Sequence, residues 1–136
     1  MACLDTTFLV DLARNTGRRR DRARIKLKAL LHEEHRLAVT RFNIAELHVG
    51  IHRASDPKQE QAKVDVLLNG MTVLEFDEVA AKLFGQITAR LQVAGNPVGD
   101  MDVLIAATAL ASGENQIVTR NVEHFQMIDA IEAVTY

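Results

Sequence analysis

The sequence predicts an α/β fold: a central parallel sheet of about five short strands, flanked by helices on both faces. Three observations predict it. Short apolar runs alternate along the chain with longer segments whose apolar residues recur at helical spacing. Strands that alternate with helices build a parallel sheet covered on both sides. Pro57 and Pro97 each fall in a polar break (RASDPK and AGNPVGD), outside the periodic segments.

The elements follow in order. ACLD is a short strand ending in an acid, and TTFLVDLAR continues as a helix that Thr6 or Thr7 can cap. Residues 18–34 read as a basic helix, and Leu37 to Val39 as a second short strand. Thr40 can cap a helix to about Ala54, with Phe42, Ala45, Val49 and Ile44, Leu47, Ile51 at helical spacing. Pro57 opens a helix to about Leu68. MTVLEF is a strand, and Asp77 begins a long helix to about Val93. Residues 100–112 form an alanine-rich apolar helix that Gly113 can stop. QIVT is a strand, NVEHFQMI a short helix and IEAVT a last strand.

Composition bounds the rest. A chain of 136 residues, 48% hydrophobic and 25% charged, matches one globular domain spanning 1–136 with a core that needs no disulfide staple. The lone cysteine, Cys3, excludes an internal disulfide and reads as a small core residue. The N-terminus lacks a basic lead, Asp5 and Asp11 interrupt its apolar stretch, and no run approaches the roughly 20 apolar residues of a membrane span. These features point to a soluble cytoplasmic protein with no membrane partner. The net charge of −2 hides an asymmetry: residues 14–28 carry +7 and the remainder −9. Arg18, Arg19, Arg20, Arg22 and Arg24 in that segment are candidates for tracking the phosphates of a polyanion, the alternative being a solvated helix face.

Three acids stand where apolar segments meet turns: Asp5 in MACLDTTFLV, Glu46 in TRFNIAELHVGI and Asp102 in VGDMDVLIAATALASG. A carboxylate in an apolar setting is costly unless compensated. Each has a local explanation: an Asx-turn at Asp5, an ion pair from Glu46 to Arg41, Arg53 or the basic segment, a helix-dipole role for Asp102 with Asp100 as cap. Three together, each at the edge of a different core element, suggest one shared site for a hard divalent cation. His32, His35, His48, His52 and His124 show no ligand spacing and read as structural.

Four blocks, in order and over nearly the whole chain, resemble PIN-domain nucleases, specifically VapC-type toxins of toxin–antitoxin pairs. They are CLDTTFLVDL, TRFNIAELHVGI, GDMDVLIAATALASG and IVTRNVEHFQMI. The resemblance implies a PIN-like three-layer fold. It also implies that Asp5, Glu46 and Asp102 are catalytic acids that bind Mg²⁺ or Mn²⁺, Glu46 directly or through water. Asn121 matches the fourth catalytic position, often Asp in the family; as an amide it leaves three carboxylates, so one firmly held ion is expected and a second only with RNA. Asp100 either supplies the missing charge or caps its helix. Thr6 or Thr7 matches a supporting hydroxyl, Thr119 belongs to the closing block, and Asn43 stands where relatives often have a hydroxyl residue. The implied activity is metal-dependent endoribonuclease cleavage of structured RNA of the tRNA or rRNA class. The implied partners are a VapB-type antitoxin and a second copy of the chain in a homodimer, or a higher toxin–antitoxin assembly. With one Tyr, five Phe and no Trp, loop shape and backbone contacts are expected to outweigh base stacking. The alternative, motivated by Asn121, is a catalytically weak subunit of an operator-binding repressor complex.

Overall fold

The computed structural model describes all residues, Met1–Tyr136. Twelve elements follow one another as β1 (Ala2–Leu4), α1 (Thr6–Ala13), α2 (Arg18–His32), β2 (Leu37–Thr40), α3 (Arg41–Arg53), α4 (Pro57–Leu68), β3 (Thr72–Leu74), α5 (Glu78–Ala94), α6 (Asp100–Ala111), β4 (Gln116–Val118), α7 (Val122–Gln126) and β5 (Glu132–Val134). The five strands form one sheet in the order β3-β2-β1-β4-β5. Every pairing is parallel.

The sheet divides the core in two, and side-chain alternation along its central strands decides which side each residue joins. Ala2 and Leu4 pack with Val39, Val118 and residues of α1 to α4, including Phe8, Leu12, Leu30, Leu47, Ile51 and Val64. Cys3 and Ile117 point the other way, towards Leu91 of α5, Val103, Ile105, Ala106 and Ala109 of α6, and Phe125 of α7. The register agrees: Cys3 lies opposite Ile117, and Leu4 opposite Val118. Burial places the Cys3 thiol well above its usual pKa, so it is an inert core group. No helix is long and apolar enough to cross a membrane.

The strand order sets the place for a site. From β1 the chain moves outward to β2 and β3 on one flank, then crosses through α5 and α6 to β4 on the other. The reversal falls between β1 and β4. In open parallel sheets, ligands bind beyond the carboxyl ends of the strands at such a reversal. Asp5 follows β1 and Thr119 follows β4 at that spot.

Several local expectations are corrected. Neither Thr6 nor Thr7 caps α1; the N-cap is Asp5, without a side-chain cap bond. Both hydroxyls go instead to carboxylates, which are stronger acceptors. Asp100 does not cap α6 either; Gly99 holds that position and Asp100 is exposed in the first turn. The basic helix stops at His32, and Glu34 takes a left-handed conformation (φ 60) in the turn into β2. Of the apolar stripe on α3, Leu47 and Ile51 are buried, whereas Ala45 and Val49 face outward. Thr40 does cap α3: its hydroxyl accepts from the Asn43 backbone N–H, while Asn43 Oδ1 accepts from the Thr40 backbone N–H, a reciprocal capping box.

Candidate active site

Asp5 is the centre of the arrangement. It lies at the carboxyl end of the central strand and is 3% exposed. Three side chains from three elements hold it. Thr119 Oγ1, beyond β4, donates to Oδ2 at 2.7 Å. Thr7 Oγ1 donates to the same oxygen at 3.1 Å. Asn43 Nδ2, on α3, donates to Oδ1 at 3.4 Å. Burial raises the Asp5 pKa above the ordinary carboxylate range; the Thr119, Thr6 and Thr7 hydrogen bonds pull it down, and the charge of Asp102 pushes it up again.

Glu46 joins through Thr6. The Thr6 hydroxyl donates to Glu46 Oε1 at 2.7 Å and accepts from Asn43 Nδ2 at 3.1 Å. Asn43 is fully buried and connects three things: the capping box of α3, Asp5, and the Thr6–Glu46 pair. Partial burial raises the Glu46 pKa, Thr6 lowers it, and the charges of Asp5 and Asp102 add to the rise. Arg41 is not its partner; that guanidinium is held by Glu75, with Nε donating to Oε1 at 3.1 Å.

Asp102 sits in the first turn of α6 and is half-buried. Its Oδ2 is 2.9 Å from Nδ1 of His124, on α7. Its charge acts on both Asp5 and Glu46, so the three acids share one electrostatic environment. The Asn121 backbone N–H donates to Thr119 Oγ1 at 2.9 Å. Asn121 and His124 line an open polar cleft of about 600 Å³ with Arg120, Glu123, Gln126 and Thr135. The structure thus brings Asp5, Glu46, Thr6, Thr7 and Thr119 into direct contacts, adds Asp102 through its charge, and leaves Asp100 without a contact to them.

The basic segment lies on α2. Arg18, Arg19, Arg22 and Arg24 are exposed. Arg20 folds back, its guanidinium donating to Asp21 and to the Asn15 carbonyl.

No three His, Cys, Asp or Glu side chains converge closely enough to enclose an ion by themselves. The donors nevertheless suit a hard cation that keeps part of its water. Mg²⁺ is typically held through one or two carboxylates with the remaining positions left to water and phosphate oxygens, and Mn²⁺ likewise prefers oxygen. Asp5, Glu46 and Asp102 supply carboxylate oxygens whose mutual repulsion a cation would relieve.

Sequence reasoning missed one participant and the local role of another. His124 has no ligand spacing, yet the short α7 brings it to Asp102. Asn43, singled out only as standing where relatives often have a hydroxyl residue, is also the second half of a capping box, as its position three after Thr40 allows.

Residues 2–130 match the family model described as PIN domain. The chain is 33% identical over 96 residues to the tRNA(fMet)-specific endonuclease VapC of Salmonella typhimurium, covering 71% of this chain and 72% of that one. It is 28% identical over 99 residues to Ribonuclease VapC2 of Rickettsia felis, covering 73% of each. Among solved structures, DNA-bound VapBC from Salmonella typhimurium is similar, with a TM-score of 0.83 and 28% identity over 99% of this chain and 98% of that one. VapBC2 from Rickettsia felis bound to a promoter DNA fragment shares the fold, with a TM-score of 0.87 and 24% identity over 98% of this chain and 97% of that one. The family match over almost the entire chain, carried by a sheet that sets Asp5 at its strand-order reversal, shows that this protein belongs to the PIN-domain family, in its VapC branch.

Proposed function

We propose that this protein is the toxin of a VapBC-type pair: an endoribonuclease, dependent on Mg²⁺ or Mn²⁺, that hydrolyses phosphodiester bonds in structured RNA of the tRNA or rRNA class. The observation that carries the reading is the buried Asp5, held by donors from α1, α3 and the end of β4, with the charge of Asp102 acting on it and both charges acting on Glu46. The relatives named as ribonucleases support the coarse activity, and the Salmonella relative named for tRNA(fMet) supports the substrate class.

The division of labour follows from the geometry. A divalent ion, when bound, supplies Lewis acidity and lowers the pKa of water at the site. Asp5 and Asp102 would hold it, with Glu46 reaching it directly or through water. Thr7, Thr119 and Asn43 fix the orientation of Asp5, so the carboxylate needs no reorganisation when RNA arrives. Thr6 fixes Glu46 in the same way. Burial and the charges of Asp5 and Asp102 raise the Glu46 pKa, which would make it the better proton acceptor for a water at the site. The exposed arginines of α2 offer a surface for phosphates. A cavity of about 490 Å³ between α1, α3 and α4 has Glu46 at its edge and an apolar floor of Leu47, Ile51, Val64 and Leu67. It suits an apolar segment of a VapB-type antitoxin that would cover the acids, consistent with the toxin–antitoxin assemblies among the structural neighbours. A second reading, a weakly catalytic subunit of a DNA-binding repressor complex, draws on Asn121 and on the DNA-bound state of those neighbours.

The deciding experiment is incubation of total cellular RNA with the antitoxin-free protein in Mg²⁺, in Mn²⁺ and in EDTA, beside Asp5→Asn and Asp102→Asn. The expected outcome is discrete metal-dependent fragments that fall by at least a hundredfold in both variants, in keeping with the loss of a principal electrostatic contributor. Measurable ion binding with no fragments from the wild type would favour the repressor reading.

A further inference from the structure

One buried acid takes no part in the arrangement just described. Asp11, on α1, is 0% exposed. A buried carboxylate persists only if its oxygens are satisfied, and three groups do so here. Arg120 Nε is 2.7 Å from Oδ2. The Tyr136 hydroxyl donates to the same oxygen at 2.6 Å. Arg14 Nε donates to Oδ1 at 3.0 Å. The Tyr136 ring is further fixed edge-on against Phe8, with centroids 4.8 Å apart, and Phe8 is fully buried. Burial, and then the Asp11 charge, keep the Tyr136 phenol protonated and therefore a donor.

Arg120 is the informative member. It stands between Thr119, which holds Asp5, and Asn121, which faces the polar cleft. Its own backbone N–H donates to Thr7 Oγ1 at 3.0 Å, and Thr7 in turn donates to Asp5. Both donors to Asp5 Oδ2 are therefore tied to one short turn, which the Thr119 hydroxyl pins to Asp5 and the Arg120 guanidinium pins to the buried Asp11. Two members of the cluster come from segments 125 residues apart, so it also ties Tyr136, two residues past β5, to the first helix.

We infer that Asp11, Arg120 and Tyr136 form a latch that holds the Thr119–Asn121 turn in register with Asp5. On this reading Arg120 is a positioning residue: it acts through Thr7 and Thr119 and does not touch substrate. The inference deepens the nuclease reading and rests on it for its kinetic arm alone.

The test compares Arg120→Gln and Tyr136→Phe with wild type. Tyr136→Phe keeps the ring packed on Phe8 and removes one donor, so it is the milder probe and keeps the test valid if Arg120→Gln folds poorly. In the first arm, backbone hydrogen exchange is followed without metal or RNA. Exchange at Arg120 and Asn121 is expected to speed up about tenfold or more in the variants, while core amides of α2 and α6 keep wild-type rates. In the second arm, cleavage is expected to show kcat lowered about tenfold for Arg120→Gln and severalfold for Tyr136→Phe, with KM within twofold of wild type. Unchanged exchange at the turn in a folded variant overturns the latch. So does a rise in KM at constant kcat, which would make Arg120 an RNA contact, or faster exchange spread evenly over the molecule, which would make the cluster a general stabiliser. If the wild type cleaves no RNA, the nuclease reading fails while the exchange arm still decides the latch.

Discussion

At the scale of single residues, the site depends on how few groups support each charge. Asp5 and Glu46 both have pKa values raised first by burial and then by neighbouring acids. A carboxylate whose folded pKa lies above its unfolded value favours the fold while it is protonated. That contribution is present below the unfolded pKa and is lost as pH rises through the folded one. The metal-free protein is therefore expected to lose stability from the ordinary carboxylate range upwards towards neutral pH. Glu46→Gln, which keeps an oxygen for Thr6 but cannot ionise, should narrow that loss. Urea midpoints in EDTA at pH 4.5 and 7.5 measure it: the variant gains on wild type at the higher pH, and an equal difference at both would remove like-charge strain from the account. Added Mg²⁺ should raise the wild-type midpoint more at pH 7.5 than at 4.5, because the ion binds the ionised form. The three candidate acids stand out in the sequence because a carboxylate among apolar residues is conspicuous. Asp11 is equally conspicuous, but its partners Arg120 and Tyr136 are more than a hundred positions away and nothing local names them.

At the scale of elements, the alternation of apolar runs and helical patterns located every strand and helix, because the helices carry an apolar period of about 3.6 residues and the strands are short apolar runs bounded by polar breaks. The ends were less legible. Hydroxyl and acidic residues at helix starts serve either as caps or as parts of a site, and the choice is made by tertiary neighbours that local sequence does not reveal. Thr6 or Thr7 could cap α1 and Asp100 could cap α6 or add charge to the site, yet none of them caps; Thr40 could cap α3 and does. Strand ends likewise blur, since only Thr72–Leu74 of MTVLEF enters the ladder. The α3 capping box joins element to site, because Asn43 supports the helix start and Asp5 with one amide. Asn43→Ala should cost about 1–3 kcal/mol, as expected for stranding buried donors, read from denaturant unfolding. It should also slow cleavage, whereas an exposed change on the same helix, such as Val49→Ala, should do neither.

At the scale of the whole molecule, charge is distributed unevenly: +7 in residues 14–28 against −9 elsewhere. The structure sharpens what the sequence leaves open there, because Arg20 is committed to Asp21 and Asn15 while Arg18 and Arg19 are free. If α2 tracks phosphates, replacing Arg18 and Arg19 together by Gln should lower the salt slope of RNA binding by about 2, and replacing Arg20 alone should barely move it. Titrations with an uncleaved RNA at several salt concentrations measure this. An unchanged slope in the double variant would leave α2 as a solvated face. The parallel sheet was legible from element order, but its strand order was not: that β1 lies in the middle depends on long-range pairing that local patterns do not encode.

That central first strand bears on the timing of synthesis. Asp5 is synthesised 114 residues ahead of Thr119, the partner in its shortest hydrogen bond. Chains are made at about 5–20 residues per second and fold from the N-terminal side as they emerge. For several seconds the nascent chain therefore holds its acids without the turn that fixes them. The proposed site is thus not assembled on the nascent chain until β4 has slotted in beside β1.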